Sequence, residues 1–382
     1  MTVNEIPIGL AKSGRRAWAL DDVNLTPSRR TRSPQDVSLD WRIDAYTFSM
    51  PVIGAPMDSV MSPATAIALG QLGGLGVLNL EGLWTRYEDP EPVLQEIAHL
   101  DAREISPANT RRMQQLYAEP IKAELITARL AEMREAGVVV SGSLTPQNTK
   151  EFYQTVVDAG VDMFVIRGTT VSAEHVSESQ DPLNLKEFIY ELDVPVIVGG
   201  AAGYTPALHL MRTGAAGVLA GFGGGSATTT HRALGIRVPM ATAISDIAAA
   251  RRDYLDESGG RYVHVIADGG LGSSGDIVKA LAMGADAVML GAALARAEDA
   301  PGQGWHWGLE AVHPNFPRGH RTRVGTVASL EEVLLGPGHH TDGSSNLMGG
   351  LRHAMASCGY VDLKSFQRVD ATVSPVGRGL QM

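Results

Sequence analysis

What most constrains this chain is a string of eight short apolar runs, each divided from the next by a helix-prone or polar stretch. They fall at 50–54, 76–80, 138–141, 163–166, 194–198, 217–220, 262–266 and 287–290. Runs this continuously apolar have no solvent face, so they read as parallel strands buried under helices on both sides. Eight strand–helix units favour closure into a barrel over an open sheet. Ala136-Gly137, Ala159-Gly160, Gly214-Ala215 and Gly284-Ala285 stand before four of the runs. Such pairs stop a helix and admit the next strand. The expected fold is therefore a (β/α)8 TIM barrel, as one domain over 1–382.

Two regions break the repeat. Residues 85–135 are charged and helix-prone, and read as a solvent-facing helical insertion between the second and third strands. Residues 301–345 are rich in glycine, proline and histidine. A long irregular stretch of that kind reads as a flexible lid over the barrel mouth. The net charge of −10 argues against nucleic acid as a partner. Cys358 is the single cysteine, so no intramolecular disulfide forms, in keeping with a reducing cytoplasm. No apolar stretch has membrane-spanning length, and the N-terminus lacks the pattern of a signal peptide. The expectation is a cytoplasmic chain with no membrane partner.

The chemistry lies in the loops after the strands, where barrels of this kind keep their sites. After the sixth run comes Gly221-Phe222-Gly223-Gly224-Gly225-Ser226-Ala227-Thr228-Thr229-Thr230. Glycines there let backbone N–H groups converge on an anion, and Ser226 adds a hydroxyl. Ala267-Asp268-Gly269-Gly270 and Met289-Leu290-Gly291 close the seventh and eighth runs. Asp268 has the chemistry to accept both hydroxyls of a ribose. Taken singly, each glycine makes only a tight turn, and Asp268 caps a helix. Three such loops at matching strand ends point instead to a nucleoside monophosphate.

The motifs extend further. Met57-Asp58-Ser59-Val60, Gln71-Leu72-Gly73-Gly74-Leu75-Gly76-Val77, Pro239-Met240-Ala241-Thr242-Ala243, Ile266-Ala267-Asp268-Gly269-Gly270 and Gly349-Gly350-Leu351-Arg352 occur in order. Together with the strand-six loop they make the chain resemble the IMP dehydrogenase and GMP reductase family. The resemblance implies a barrel that assembles as a homotetramer or octamer. It implies a hydride exchanged between a purine nucleotide (IMP, GMP or XMP) and NAD or NADP, in guanine nucleotide metabolism. By that resemblance Ser226, Gly270 and Gly291 hold the phosphate, Asp268 the ribose and Met57 the purine or ribose. Gly223 and Gly225 offer carbonyls to a possible K+. The 85–135 segment is too short for the regulatory CBS modules of the longer dehydrogenases, so the chain resembles the short branch.

The chain departs from the family pattern in two places. Thr228 stands where the family carries its nucleophilic cysteine, with Thr230 at the later threonine. An unactivated hydroxyl is a far weaker nucleophile than a thiolate and needs a strong base beside it. The sequence names no such base: His231 reads as a surface residue, and Cys358 as packed at a helix end. The loop after the fourth strand reads Arg167-Gly168-Thr169-Thr170 in place of the family's Asp-Ser-Ser. Arg167, Gly168 and Thr169 are candidates for the cofactor site, with Arg167 either meeting the extra phosphate of NADP or paired to a neighbouring loop. Two functions follow: a purine nucleotide oxidoreductase (IMP to XMP, or GMP to IMP), or a redox-inactive nucleotide-binding or regulatory homologue. The phosphate loops by themselves also suit a flavin-dependent oxidoreductase or an isomerase.

Overall fold

A computed structural model describes residues 5–100, 106–178, 182–222, 224–313 and 321–374. The eight runs form a parallel barrel. Its strands are β1 (Val52–Gly54), β2 (Leu75–Gly76, resuming after Val77 as Leu78–Asn79), β3 (Ser141–Leu144) and β4 (Met163–Arg167). They continue as β5 (Val196–Ala201), β6 (Gly217–Ala220), β7 (His264–Asp268) and β8 (Ala287–Leu290). Neighbours in sequence pair in parallel, and β8 returns to β1. The first part of β2 pairs with β1 and the second with β3, so the chain through Val77 closes the ring.

Helices α1 (Pro63–Gln71), α2 (Glu91–His99), α3 (Pro107–Leu116), α4 (Ala123–Glu135) and α5 (Pro146–Asp158) follow the first three strands. Next are α6 (Leu185–Glu191), α7 (Tyr204–Arg212), α8 (Thr230–Leu234), α9 (Met240–Glu257) and α10 (Ser274–Ala282). After β8 come α11 (Ala292–Ala295), α12 (Leu330–Leu335), α13 (Leu347–Ser357) and α14 (Leu363–Phe366). Gly137, Gly160, Gly214 and Gly284 all take left-handed φ, between 73° and 117°. An L side chain is disfavoured there, which is why glycine marks each helix-to-strand joint.

Four strands start later than their apolar runs. The run at 138–141 pairs only from Ser141, because Val138 packs on Gly70 of α1. Likewise β1, β5 and β7 begin two residues after the start of their runs. An apolar entry segment that packs on a helix has the same composition as a strand, so periodicity cannot separate them.

The other end of the barrel is stoppered by the hairpin Trp41–Ile43 and Tyr46–Phe48. Trp41 stacks on Phe48 and its indole N–H donates to His264 Nδ1 at 3.3 Å, at the start of β7. Beside it, Arg251 of α9 meets Asp286 at 2.6 Å, both buried. Tyr262 O–H and the Val265 N–H also donate to Asp286, at 2.6 and 2.9 Å. A buried carboxylate satisfied this way ties α9 to the entries of β7 and β8.

The helical insertion departs from its solvent-facing expectation. Helix α4 packs between α1 and α5 and serves as the ordinary barrel helix of this unit. Helices α2 and α3 build a second apolar core from Leu83, Val93, Leu94, Ile97, Met113, Leu116 and Tyr117, together with Trp305, Trp307 and Ala311. The 301–345 stretch is likewise more than one loop. Trp305–His306 pairs antiparallel with Thr322–Arg323, a single helical turn covers Leu309–Ala311, and α12 follows. Arg321 clamps this hairpin to the insertion: it lies 3.7 Å over the Trp305 ring and donates to Ile97 O at 2.7 Å and Leu100 O at 2.6 Å. Among the described residues no helix is long and apolar enough to cross a membrane.

Candidate functional site

The carboxyl ends of the strands surround a cavity of about 770 Å³. That volume suits a mononucleotide with room beside it. Met57, Ser226, Asp268, Gly270 and Gly291, expected around a nucleotide, all line it, as do Arg167, Gly168, Thr169, Gly225 and Thr228. Gly223 lies outside the described residues. Thr230 sits just behind the wall, fully buried.

The strand-six and strand-seven glycine turns touch each other. A side-chain carbon at Gly270, whose φ is +71°, would meet Gly224 O at 3.1 Å, and one at Gly224 would lie 3.5 Å from the Gly269 carbonyl carbon. At Gly291 the same carbon would come within 3.4 Å of Met57 Sδ and of the His306 ring. The strand-six, strand-seven and strand-eight loops thus leave a space that any larger residue would narrow. Backbone N–H groups without side chains beside them are the chemistry an anion needs.

Arg167 Nε donates to Asp268 Oδ2 at 3.0 Å. Burial works against the Arg167 charge, but Asp268 and Glu310 outweigh it and raise the guanidinium's pKa above its ordinary value. The partner of Arg167 is thus the carboxylate expected to hold a ribose. Arg167 is the sole arginine or lysine among the described lining residues, against carboxylates at Asp21, Asp268, Asp276 and Glu310.

Thr228 connects to a carboxylate that the sequence did not reveal. Its hydroxyl donates to Thr230 Oγ1 at 3.0 Å, and Thr230 Oγ1 lies 3.5 Å from Glu310 Oε1. Thr169 Oγ1 approaches the same oxygen at 3.5 Å. Glu310 is thus a carboxylate beside the threonines, at the long edge of hydrogen-bond range. His231 is exposed, and Cys358 is buried at the end of α13 and outside the cavity lining. Burial pushes the Cys358 thiol up.

His306 is the second residue that sequence reasoning missed. It is 3% exposed and lines the cavity. Burial, and then the Arg167 charge, lower its pKa to about 4, so the ring is neutral near pH 7. Its position is fixed from the Met57–Val60 motif: Ser59 Oγ lies 3.0 Å from His306 Nδ1 and 3.0 Å from Trp307 O, and accepts the Trp307 N–H at 3.1 Å. One residue earlier, Asp58 is buried and accepts from Tyr117 O–H at 2.6 Å, Leu83 N–H at 3.0 Å and Asn79 Nδ2 at 3.1 Å. Burial raises its carboxyl above the usual range, against those three donors. Tyr117 O–H in turn accepts from Trp307 Nε1 at 2.8 Å. The motif therefore bonds both to the insertion and to the segment carrying His306 and Glu310. Among the described residues no cluster of histidine, cysteine and acidic side chains suits a metal ion.

Comparison with known proteins follows the same lines. The model of the IMP dehydrogenase / GMP reductase domain matches residues 17–308. An uncharacterized oxidoreductase of Mycolicibacterium smegmatis is 53% identical over 96% of the chain and 99% of its own length. The inosine-5'-monophosphate dehydrogenase of Cryptosporidium parvum is 29% identical over 75% of the chain and 70% of its own length. The crystal structure of an IMP dehydrogenase/GMP reductase-like protein from Corynebacterium glutamicum superposes with a TM-score of 0.91 at 50% identity. That match covers 97% of this chain and 98% of the other.

Proposed function

Because the chain belongs to the IMP dehydrogenase / GMP reductase family, we propose that it is a purine nucleotide oxidoreductase, acting on IMP or GMP with NAD or NADP. The supporting observation is that the Thr228–Thr230–Glu310 chain opens on the same cavity as the three glycine turns. A nucleotide gripped by Ser226, Gly270, Gly291 and Asp268 would present its base to that chain.

The lining fits both ligands. Asp268 offers a ribose acceptor, and a side chain at Gly270 or Gly291 would fill the phosphate cradle. Along the Arg167–Thr170 edge, a cation and two hydroxyls suit the ribose and diphosphate of a dinucleotide. When bound, a nicotinamide ring supplies the hydride acceptor or donor. Arg167 commits its Nε to Asp268, so we assign it to the ribose edge and not to a choice between NAD and NADP. A K+ at the Gly225 carbonyl is part of the same proposal.

IMP and water give XMP with loss of a hydride and a proton; GMP, a hydride and a proton give IMP and ammonia. Either direction moves a proton beside the base. The Thr228 hydroxyl can pass one through Thr230 to Glu310. Thr228 at the nucleophile position favours one further reading, a nucleotide-binding protein without the redox step.

Two measurements decide between them. IMP with NAD or NADP, and GMP with NADPH, are followed by reduced-nicotinamide absorbance, while calorimetry measures IMP binding. Turnover in either direction supports the oxidoreductase. Binding without turnover selects the second reading, and neither binding nor turnover removes both. In the second case Thr228→Cys separates a missing nucleophile, which gains turnover, from a lost cofactor site, which stays silent.

A further inference from the structure

His306 takes no part in the reading above, yet its hydrogen bonds define which ring nitrogen carries the proton. Ser59 Oγ has one hydrogen and three partners. Trp307 O can only accept, so the Ser59 hydrogen goes there. Trp307 N–H can only donate, and it fills one lone pair of Oγ. The remaining contact, to His306 Nδ1, is satisfied only if Nδ1 is the donor. The ring is then the Nδ1–H tautomer, and Nε2 carries a bare lone pair. That Nε2–Cε1 edge is the one lying 3.4 Å from where a side chain on Gly291 would begin.

Gly291 belongs to the turn assigned above to the phosphate, and the inference rests on that reading. A lone pair facing a phosphate dianion is repulsive; facing a phosphate that keeps one hydrogen, it is an acceptor. We propose that His306 Nε2 accepts the remaining hydrogen of a singly protonated phosphate, so that the site takes its nucleotide as the monoanion. No bond is made or broken beyond that shared hydrogen.

The surroundings support this assignment. From the end of β4 Arg167 repels added charge on the ring, and its own charge is engaged by Asp268 from β7 and by Glu310 from the turn after His306. The loop after β1 contributes Met57 and Ser59, while its Asp58 is bonded to Tyr117, Leu83 and Asn79. The turn after β8 presents glycine. The ring's burial leaves the ligand as the easier source of the hydrogen: a phosphate monoester loses its second proton near pH ~6.

Calorimetry with IMP across about pH 6.5 to about 7.5 tests the proposal. Affinity should fall about tenfold over that unit, as the monoanion becomes scarce. In His306→Gln an amide N–H can replace the lone pair, and affinity should stay level or rise. The phosphorus resonance of bound IMP needs no variant, and should hold the monoanion position at the higher pH. A level profile in the native chain, or a bound resonance at the dianion position, overturns the proposal. Absence of IMP binding at every pH is a separate result: it removes the nucleotide site itself, and with it any phosphate for His306.

Discussion

Replacing Tyr117 by phenylalanine keeps the ring and deletes one oxygen that serves two buried partners. Asp58, 2% exposed, loses its shortest donor at 2.6 Å, and Trp307 Nε1 loses its acceptor at 2.8 Å. A hydrogen bond to a buried charge is worth about 1.5–3 kcal/mol, and orphaning a buried N–H costs about 1–3 kcal/mol. Leu83 N–H and Asn79 Nδ2 still hold the carboxylate, so the lower end applies, about 2.5 kcal/mol together. The loss falls on the junction between α3 and the strand carrying His306, so it should appear first as local opening. At ~1.4 kcal/mol per decade, amides of 305–312 should exchange about sixtyfold faster with deuterium. Exchange in β4–β7, which does not pass through this junction, should change far less. Hydrogen-exchange mass spectrometry reads both. Equal protection of 305–312 in native and variant chains would refute the reasoning, since the two bonds would then carry no weight in holding the segment.

Two further outcomes are expected. Gly270→Ala places a methyl at φ +71°, 3.1 Å from Gly224 O. The left-handed strain of about 1–2 kcal/mol should cost roughly tenfold in IMP affinity by calorimetry, with an unaltered affinity arguing that the turn does not form the cradle. At Asp286, burial raises the pKa, but Arg251, then His264, Tyr262 and the Val265 N–H outweigh it and leave the carboxyl below its ordinary value. A depressed carboxylate stabilises the fold above its unfolded value of about 3.9, and that stability is lost as pH falls through the folded value. Acid-unfolding curves should therefore show a steeper loss below about pH 4 in the native chain than in Asp286→Asn. Parallel curves would dissociate the ion pair from acid stability.

The strands were legible because a parallel barrel buries both faces, which leaves an unbroken apolar run in the sequence. Their joints were legible as glycine, since only that residue enters the left-handed turn at low cost. The starts of β1, β3, β5 and β7 were not; Val138, for one, is as apolar as a strand residue while it packs on α1. The glycine turns and Asp268 sit at strand ends, so local pattern was enough to bring them to one cavity. His306 and Glu310 lacked any such signal. Their place depends on Tyr117 meeting Trp307 and on Ser59 meeting His306, contacts across 190 and 247 residues of chain. The pattern Trp305-His306-Trp307 in a glycine-rich stretch hinted at burial, which a reading of that stretch as a lid passed over.

Closure at Val77 carries a consequence for assembly. One uninterrupted stretch of backbone serves both neighbours at the seam, so the cylinder has no free ladder of amides and carbonyls for another polypeptide to extend. Any contact between copies through this part of the molecule has to be made by side chains of the surrounding helices and loops. Subunit specificity is then written in residues that can vary without disturbing the hydrogen bonding of the sheet beneath them.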